Sequence, residues 1–326
     1  MRALVVERLA PDYAGCVLKD LPSPDPGPGE VRLKVRAASV NFPDLLMTRG
    51  EYQHKPPLPF VGGLEMAGEV EALGGGVDGW SVGDAVVAGG AGGFAEQAIA
   101  PAAALRRKPD LFSFSQAAAY GAAHLTAFVS LVWRAKALPD EWVLVHGAAG
   151  GVGLACVDMA KALGLKVIAA SASDEKLAVL AREYTPDAVL NITGGFREKV
   201  KALTGGRGAN IIIDPVGGDV FDESVRCIAF DGRLLVVGFT SGRIPSIAAN
   251  MPLIKGFSVI GVRAGEYGRQ FPDRGAENLA AIWRMAEAGQ TRPRVHAELP
   301  LSGWREAFDL LASRQVVGKA VIRPDL

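Results

Sequence analysis

The sequence predicts an α/β fold in which a doubly wound parallel sheet follows a β-rich domain. The 326 residues suggest about two domains, at ~150 residues for each domain. After residue 141, β-prone runs alternate with helical stretches of about ten residues, which is typical of a parallel sheet covered by helices. Before residue 120, short β-prone runs are separated by Gly and Pro clusters, which indicates an irregular, turn-rich domain.

The predicted elements follow the chain in order. The first part has a predicted short helix at 43–49 and β-prone runs at 3–7, 30–38, 65–72 and 84–87. In the second part, β-prone runs at 142–146, 166–171, 188–191, 209–214, 233–237 and 257–262 alternate with helical stretches at 152–163, 174–183, 196–203 and 219–228. Helical stretches at 277–288 and 303–313 and a strand at 319–323 are expected to fold back on the first domain. The predicted domains are therefore 1–122 together with 264–326, and 123–263.

Composition and charge restrict the classes of partner. Lys plus Arg and Asp plus Glu both number 35, so the formal net charge is zero and no basic footprint for nucleic acid is visible. The three cysteines, Cys16, Cys156 and Cys227, are far apart, which favours a reducing cytoplasm without a disulfide framework. The longest apolar stretch, 117–133, is shorter than the ~20 residues of a membrane span, and we expect a buried helix pair there. The sequence thus indicates a cytoplasmic protein that binds neither nucleic acid nor membrane.

A glycine-rich turn follows the first strand of the second domain. The β-prone run 143–146 leads into 147–153, which reads Gly-Ala-Ala-Gly-Gly-Val-Gly, and a helical stretch follows. The free N–H groups and partial positive charge of a helix N-terminus bind a pyrophosphate. Gly150 is expected to let the backbone approach the phosphates, and Gly153 to let the helix pack closely on the strand. Ala148 replaces the first glycine of the dinucleotide fingerprint.

This turn predicts a dinucleotide cofactor, bound by the backbone of Ala149, Gly150, Gly151, Val152 and Gly153. The alternative is a purely structural turn, because glycines also serve other tight strand–helix connections. The strand–turn–helix context, with further β-prone runs after it, favours the cofactor.

The end of the second strand of this sheet indicates which cofactor is used. NAD-specific sheets place an acidic residue there, about 20 residues after the turn, on the ribose 2′-hydroxyl. The segment 169–173 reads Ala-Ala-Ser-Ala-Ser and carries no carboxylate. Ser171 and Ser173 are candidates to hydrogen-bond a 2′-phosphate, and Lys176 is the candidate counter-charge. The segment favours NADPH over NADH, although Lys176 is also typical of a solvated helix and Asp174 weakens the positive field.

Further motifs occur along nearly the whole chain. They are Ala-Ser-Val-Asn-Phe-Pro-Asp at 38–44, Arg-Gly-Glu-Tyr at 49–52, Pro-Phe-Val-Gly-Gly-Leu-Glu-Met-Ala-Gly at 59–68, Ser-Val-Gly-Asp at 81–84, Leu-Thr-Ala at 125–127 and Gly-Lys at 318–319. With the glycine-rich turn, they resemble the medium-chain dehydrogenase/reductase family and, within it, the zinc-free quinone oxidoreductase (zeta-crystallin-like) branch. The resemblance implies a Rossmann domain for the cofactor, a GroES-like catalytic domain and an active site in the cleft between them. It also implies a homodimer that pairs through the edge strand at 257–262.

The resemblance implies roles for individual residues. Tyr52 and Asn41, with Asp44 nearby, match positions beside the nicotinamide and are the candidate catalytic residues; Tyr52 would hydrogen-bond the acceptor oxygen or relay a proton. Thr126 matches a position near the nicotinamide ribose, and Lys319 one near the cofactor phosphates. Each has a structural alternative: a half-buried loop aromatic for Tyr52, a cap or turn residue for Asn41 and Asp44, a helix-interior residue for Thr126 and a solvated strand end for Lys319.

Other positions extend the family pattern or depart from it. Gly238 ends one β-prone run, and Gly261 and Val262 end another, where ligands approach the carboxyl ends of parallel strands; all three are cofactor candidates. The segment 184–187, Tyr-Thr-Pro-Asp, replaces a common Gly-Ala-Asp and alters the adenine side. Leu46 stands where many relatives carry a tyrosine, so one acceptor-site hydroxyl is absent.

The sequence predicts no metal site. A catalytic zinc needs about three N, S or O ligands, and the cysteine and histidine of zinc-dependent relatives correspond here to Asn41 and Leu64. Glu65 is left without the partners of a metal site, and the four histidines show no ligand spacing. Without a Lewis-acid metal, the expected reaction is hydride transfer from NADPH to a quinone or another conjugated carbonyl acceptor. The protein then orients the acceptor and polarises it with hydrogen bonds.

Two alternatives remain open. One is a 2-enoyl (activated alkene) reductase, with Arg263 and Lys255 as candidates to bind an anionic tail, although both are also typical of a surface. The other is a cofactor-binding structural or RNA-associated protein, which the neutral charge disfavours.

Overall fold

The computed structural model describes every residue, Met1–Leu326, and the chain divides into two compact units. Unit 1 comprises Met1–Gly121 and Pro293–Leu326, and unit 2 comprises Ala122–Arg292. Unit 1 is therefore built from two separate segments of the chain, whereas unit 2 is one continuous segment.

Sixteen strands and eleven α-helices form the two units. The strands are β1 (Arg2–Val6), β2 (Cys16–Asp20), β3 (Glu30–Ser39), β4 (Phe60–Val61), β5 (Glu65–Leu73), β6 (Ala85–Gly89), β7 (Gln97–Pro101), β8 (Arg106–Arg107), β9 (Trp142–Val145), β10 (Lys166–Ser171), β11 (Ala188–Asn191), β12 (Ala209–Asp214), β13 (Ile228–Val236), β14 (Ser258–Gly261), β15 (Val295–Pro300) and β16 (Lys319–Arg323). The helices are α1 (Phe42–Arg49), α2 (Phe114–Ala118), α3 (Gly121–Phe128), α4 (Gly151–Ala162), α5 (Asp174–Tyr184), α6 (Arg197–Leu203), α7 (Gly218–Ser224), α8 (Asn250–Lys255), α9 (Ala264–Gln270), α10 (Pro272–Glu287) and α11 (Trp304–Ala312).

Unit 1 is built on a mostly antiparallel sheet around β3 and β5. The strand order is β15-β16-β3-β5-β6-β8, and β7 also pairs with β3; a second, smaller sheet has the order β2-β1-β4. β3 forms because apolar, mostly β-branched residues alternate with polar ones. Val31, Leu33 and Val35 are buried, and Lys34 between them is exposed. The central strand thus presents one face to the core.

Aromatic packing joins α11 to the core of unit 1. The ring centroid of Phe308 lies 5.3 Å from that of Tyr13, 5.8 Å from that of Phe94 and 5.5 Å from that of Trp304. All four side chains are buried. Because such ring pairs add about 0.5–1.5 kcal/mol each beyond their burial, the C-terminal helix is a structural part of unit 1.

Unit 2 contains a six-stranded parallel sheet with the order β11-β10-β9-β12-β13-β14. The residues of 143–145 and 211–213 are fully buried, which accounts for the continuous apolar runs of the central strands. From β9 the chain adds β10 and β11 on one side and then β12, β13 and β14 on the other. The order therefore reverses between β9 and β12, and ligands bind at such a switch point, beyond the carboxyl ends of the strands. The predicted doubly wound sheet is confirmed.

The segment 264–292 belongs to unit 2, whereas the sequence suggested that it joins the other domain. The reason is packing around Trp133. Its Nε1 donates a 2.6 Å hydrogen bond to the buried Asn278 of α10. The guanidinium of Arg274 lies 5.1 Å from the Trp133 ring, and the ring of Tyr267 in α9 lies 6.1 Å from it. Trp133 and Asn278 are 145 residues apart, so local periodicity does not reveal their contact.

Some elements differ from the predicted ones. β2, β4, β7, β8 and β15 were not predicted, because these short strands lack a clear apolar run. The helix predicted at 219–228 ends at Ser224, and β13 already begins at Ile228. The helix pair predicted at 117–133 is realised by α2, α3 and a π-helical turn, Val129–Arg134. No helix combines the length and the apolar character of a membrane span.

Candidate functional site

The glycine-rich turn connects β9 to α4 at the switch point of unit 2. Gly150 is the N-cap residue of α4. Gly150 N donates to Gly147 O at 2.9 Å, and Ala148 N donates to Ala170 O of β10 at 3.0 Å. The first N–H groups of α4 have no carbonyl of their own helix to bind, which leaves them for an anionic ligand. The backbone of 149–153 therefore suits a phosphate group.

Gly153 lets α4 approach the turn more closely than any other residue would. A Cβ atom at this position would lie 2.1 Å from Gly147 O and 2.9 Å from Ala148 Cα. Gly147 has a φ of 56°, in the left-handed region that favours glycine. By contrast, a Cβ atom on Gly150 would meet only Gly147 O, at an ordinary 3.4 Å. Packing therefore requires a glycine at 153 but not at 150.

β10 ends on Ser171, and Ser173 caps α5. Ser173 Oγ accepts the N–H of Lys176 at 3.4 Å, and Ser171 Oγ accepts the N–H of Ser173 at 3.3 Å. In both bonds the hydroxyl oxygen is the acceptor, so each hydroxyl keeps its hydrogen for donation to a phosphate. Lys176 is half-buried in the first turn of α5, and this burial lowers the pKa of its ammonium group. A phosphate bound beside it would raise that pKa again.

The acidic residue next to this strand end is bonded to the neighbouring strand. Asp174 Oδ1 accepts a 2.7 Å hydrogen bond from Asn191 Nδ2, and Asn191 stands opposite Ser171 in the pairing of β10 with β11. The amide partly offsets the negative field of Asp174. Asn191 was not among the predicted site residues, although the pairing of consecutive parallel strands could have suggested it.

The carboxyl end of β12 carries a buried carboxylate. Asp214 Oδ1 accepts the N–H groups of Val216 and Gly217, both at 2.8 Å, and so fixes the loop that leaves the strand. Burial raises the pKa of Asp214, and the two N–H groups oppose that rise. Val216 Cγ2 would lie 3.5 Å from a Cβ atom on Gly147, so this loop packs beside the glycine-rich turn. Sequence reasoning missed this anchor.

His146, directly after β9, is a packed residue and not a metal ligand. Its Nε2 lies 2.8 Å from Ser224 Oγ of α7, and the ring is fully buried. Because Ser224 donates its own hydrogen to Val220 O at 2.7 Å, the imidazole must be the donor to Ser224. Burial lowers the pKa of His146 to about 3, so the ring is neutral at neutral pH. The pair ties the start of the glycine-rich turn to α7.

The other predicted cofactor residues occupy strand ends and a helix. Gly238 follows β13, Gly261 ends β14 and Val262 follows it, all at the carboxyl edge of the sheet. Thr126 Oγ1 donates to Ala122 O of α3 at 2.8 Å. This bond to the previous turn is the usual arrangement of a helix-interior threonine.

Five polar side chains of unit 1, four of them buried, form a group that we call the polar cluster: Ser39, Asn41, Asp44, Glu65 and Lys319. Ser39 Oγ donates to Glu65 Oε2 at 2.8 Å, and Asn41 Nδ2 donates to the same oxygen at 2.9 Å. Lys319 Nζ donates to Asn41 Oδ1 at 2.5 Å and lies 3.5 Å from Glu65 Oε2. Asn41 alone is partly exposed, so it is the member of the cluster that solvent reaches.

Strand register brings the polar cluster together. Continuing the antiparallel register of β16 with β3 places Lys319 opposite Asn41. Continuing the register of β3 with β5 places Ser39 opposite Glu65. The motifs contained these residues, but only the register shows that Lys319 meets a residue 278 positions away.

These contacts bear on the expectations for three residues. Lys319, expected near the cofactor phosphates, is 6% exposed, and its ammonium group bonds Asn41 and Glu65. Glu65, which has no metal-site partners, accepts hydrogen bonds from Ser39 and Asn41 and lies beside Lys319. Asn41, the candidate donor to the acceptor, donates to Glu65.

Asp44 links the polar cluster to the start of α1. Its Oδ2 accepts the Asn41 N–H at 2.7 Å and forms a capping box with Asn41. Burial raises the pKa of Asp44 to about 7, against the lowering effects of the Asn41 N–H and of the Lys319 charge. This carboxyl group therefore exchanges a proton near neutral pH.

Tyr52 lies in the loop that follows α1. Gly50, with a φ of 72°, ends the helix by donating to the carbonyls of Leu46 and Met47. The Tyr52 ring is half-buried, and its hydroxyl makes no hydrogen bond within the chain. The phenol is therefore available to a ligand.

The chain offers no ligand set for zinc. No group of three or more His, Cys, Asp and Glu side chains is placed to hold a metal ion. Asn41 Oδ1 is bonded to Lys319, and Leu64 is apolar, so neither position supplies a usual zinc ligand. The positive charge beside Glu65 is the ammonium of Lys319.

Comparison with known proteins agrees with both units. The alcohol dehydrogenase GroES-like domain matches residues 27–110, and the zinc-binding dehydrogenase domain matches residues 151–281. A quinone oxidoreductase-like protein 2 homolog of Nematostella vectensis is 41% identical over 301 residues, which cover 91% of this chain and 82% of that protein.

Solved structures share the whole fold. Escherichia coli quinone oxidoreductase complexed with NADPH has a TM-score of 0.88 at 27% identity, over 99% of this chain and 100% of that chain. An NAD-dependent alcohol dehydrogenase has a TM-score of 0.89 at 32% identity, over 99% of both chains. A GroES-like domain and a Rossmann-type domain in one chain define a medium-chain dehydrogenase/reductase. Within that family, the chain belongs to the quinone oxidoreductase branch, and it is an oxidoreductase.

Proposed function

We propose that the protein is an NADPH-dependent reductase that transfers a hydride to a quinone or another conjugated carbonyl acceptor without zinc. The observation that carries the proposal is the bond from Lys319 to Asn41. Zinc-dependent relatives have a metal ligand at the position of Asn41. In this chain the Asn41 amide is instead bound by the ammonium group of Lys319. The relative named for quinone reduction and the NADPH complex of the similar structure support the acceptor and the cofactor.

The proposed reaction does not require a Lewis-acid metal. Reduction of a quinone or an enone needs one hydride and one proton, and bound NADPH supplies the hydride. Because the acceptor is already electrophilic, the chain has to orient it and polarise its oxygen with hydrogen bonds. Tyr52 is the candidate donor, because its hydroxyl is uncommitted. Asn41 is the candidate contact from the polar cluster.

For the cofactor, we propose NADPH over NADH because hydroxyl groups and not a carboxylate end β10. Ser171 and Ser173 are held by backbone bonds with their hydrogens free to donate, and Lys176 follows one helical turn later. Similarity to an NAD-dependent alcohol dehydrogenase makes a direct comparison of the two cofactors necessary. The three cysteines are unpaired and buried, which is consistent with the reducing cytoplasm that we propose as the location.

The test compares three substrates with purified protein. We expect NADPH oxidation with a benzoquinone and with a simple enone, no oxidation of an aliphatic alcohol with NADP⁺, and equal rates before and after chelation. Loss of activity on chelation, restored by Zn²⁺, would contradict the zinc-free mechanism. A clear preference for the enone would assign the protein to alkene reduction. Binding of NADPH without turnover of either acceptor would support a non-catalytic role.

A further inference from the structure

The side-chain amide of Asn41 lies between two opposite charges. Its oxygen, Oδ1, is 2.5 Å from the ammonium nitrogen of Lys319, and its nitrogen, Nδ2, is 2.9 Å from the carboxylate oxygen Oε2 of Glu65. Ser39 adds a second acceptor, since its Oγ is 3.2 Å from Nδ2. Each end of the amide thus faces the group that it can bind.

The opposite orientation of the amide is excluded by the same charges. A rotation of Asn41 by half a turn would place its oxygen against the carboxylate of Glu65 and its NH₂ group against the ammonium of Lys319. Both contacts would join groups of the same kind, acceptor to acceptor and donor to donor. Lys319 and Glu65 are 6% and 7% exposed, so water does not screen these repulsions well.

We propose that Lys319 is a positioning residue, which holds the Asn41 amide in one orientation and balances the charge of Glu65. Asn41 is the partly exposed member of the polar cluster, so its orientation decides which atoms the cluster presents to a ligand. Lys319 acts on the reaction through Asn41 and not through the cofactor phosphates. The effect on turnover rests on the proposed function; the effect on the amide does not.

The kinetic test uses Lys319→Met, Lys319→Arg and the matched control Lys34→Met. Lys34 is an exposed lysine of β3, outside the polar cluster. With NADPH and a benzoquinone, we expect Lys319→Met to lower kcat by about 10- to 100-fold, the size of a positioning error, with little change in KM for NADPH. Lys319→Arg, which keeps the charge, recovers most of the activity, and Lys34→Met matches the wild type. A rise in KM for NADPH with kcat unchanged would overturn the proposal, because it would place Lys319 on the cofactor.

A second variant separates positioning from charge balance. Lys319→Met leaves the Glu65 carboxylate buried without its cation, whereas Lys319→Met/Glu65→Gln removes both charges. We expect the double variant to regain the wild-type unfolding temperature but not the wild-type kcat. Recovery of both would show that Lys319 only neutralises Glu65, and the proposal would fail.

An independent readout observes the amide itself. In ¹⁵N-labelled protein, the NH₂ signals of Asn41, assigned by their loss in Asn41→Asp, are expected to be sharp and slow to exchange with water. In Lys319→Met, where the Glu65 acceptor of the NH₂ group is kept, they are expected to shift and to exchange faster, whereas Lys34→Met leaves them unchanged. Unchanged signals in Lys319→Met would overturn the proposal. If the wild type reduces neither acceptor, the proposed function fails, and these signals alone decide whether Lys319 positions Asn41.

Discussion

Gly150 and Gly153 lie three residues apart in the same turn, yet packing requires only one of them. We expect Gly153→Ala to lower the free energy of unfolding by about 1–3 kcal/mol, because its Cβ atom would be forced to within 2.1 Å of Gly147 O. Gly150→Ala, with an ordinary contact and a φ of −76°, should cost less than about 1 kcal/mol as a changed N-cap. Urea unfolding and NADPH titration measure the two effects. Equal destabilisation by both variants would contradict the close approach of α4 to the turn.

Lys176 tests the choice of cofactor at the end of β10. We expect Lys176→Ala to weaken NADPH binding by about 10- to 100-fold, since a charge-assisted hydrogen bond contributes about 1.5–3 kcal/mol, and to leave NADH binding nearly unchanged. Titration of both cofactors measures the ratio. The matched control is Lys201→Ala in α6, a lysine whose ammonium group lies 3.7 Å from Glu198 Oε1. An equal loss of affinity for NADPH and NADH in Lys176→Ala would show that Lys176 does not bind the 2′-phosphate.

Asp44 gives the fold a pH dependence of known sign. Its pKa is about 7 in the folded protein against an ordinary value of 3.8, so the folded state holds the proton more tightly. Protonation of Asp44 therefore stabilises the folded state fully at pH values below the unfolded pKa of 3.8. This stabilisation is lost as the pH rises to the folded pKa of about 7. Asp44→Asn keeps an oxygen for the Asn41 N–H and cannot ionise. We expect the variant to gain up to about 1.4 kcal/mol per pH unit over the wild type between pH 4 and 7, measured by urea unfolding. Parallel pH profiles would refute the raised pKa.

At the level of elements, β14 is the edge strand of the parallel sheet and pairs only with β13. Exposed apolar side chains occur in α8, which precedes β14 in the chain, and in β13, which pairs with it: Leu253 and Ile254 by 81% and 72%, and Phe230 by 82%. The Phe230 ring lies against Gly256, where a Cβ atom would be 2.3 Å from the ring. Unpaired strand edges and apolar patches of this kind require cover. A second copy, paired antiparallel along β14 about a two-fold axis, would provide it.

We therefore expect a homodimer in solution, which Ile254→Glu should convert to monomer. The carboxylate would be desolvated at the two-fold interface and would face its symmetry mate. Light scattering measures the mass of each species. Leu111→Glu, at an exposed leucine of unit 1, is the control and should remain dimeric. A wild type that is monomeric at all concentrations would exclude this interface.

At the level of the whole molecule, the parallel sheet was the part of the fold that the sequence predicted best. β10, β11 and β12 have the predicted bounds, because strands buried on both faces carry continuous apolar runs. The short strands of unit 1 lack such runs. The position of 264–292 depends on Trp133 and its distant partners, and no local pattern contains that information.

The candidate site also has one part that the sequence reveals and one part that it does not. The glycine-rich turn and the two serines are each local in sequence, so their chemistry is visible without a structure. The polar cluster depends on the registers of three strands, and the bond from Lys319 to Asn41 joins positions 278 residues apart. For that reason the sequence assigned Lys319 to the phosphates and did not pair it with Asn41 and Glu65.

The division of unit 1 into two segments has a consequence for the order in which the protein folds during synthesis. Unit 2 is complete once Arg292 has left the ribosome, and its β–α–β units form contacts between neighbours in sequence. The first 121 residues emerge earlier but lack β16 and α11, so their sheet and polar cluster are completed only after these elements have emerged. The usual N-terminal-first order is therefore reversed. Nascent chains stalled before β16 should resist protease in 122–292 while remaining sensitive in the first 121 residues.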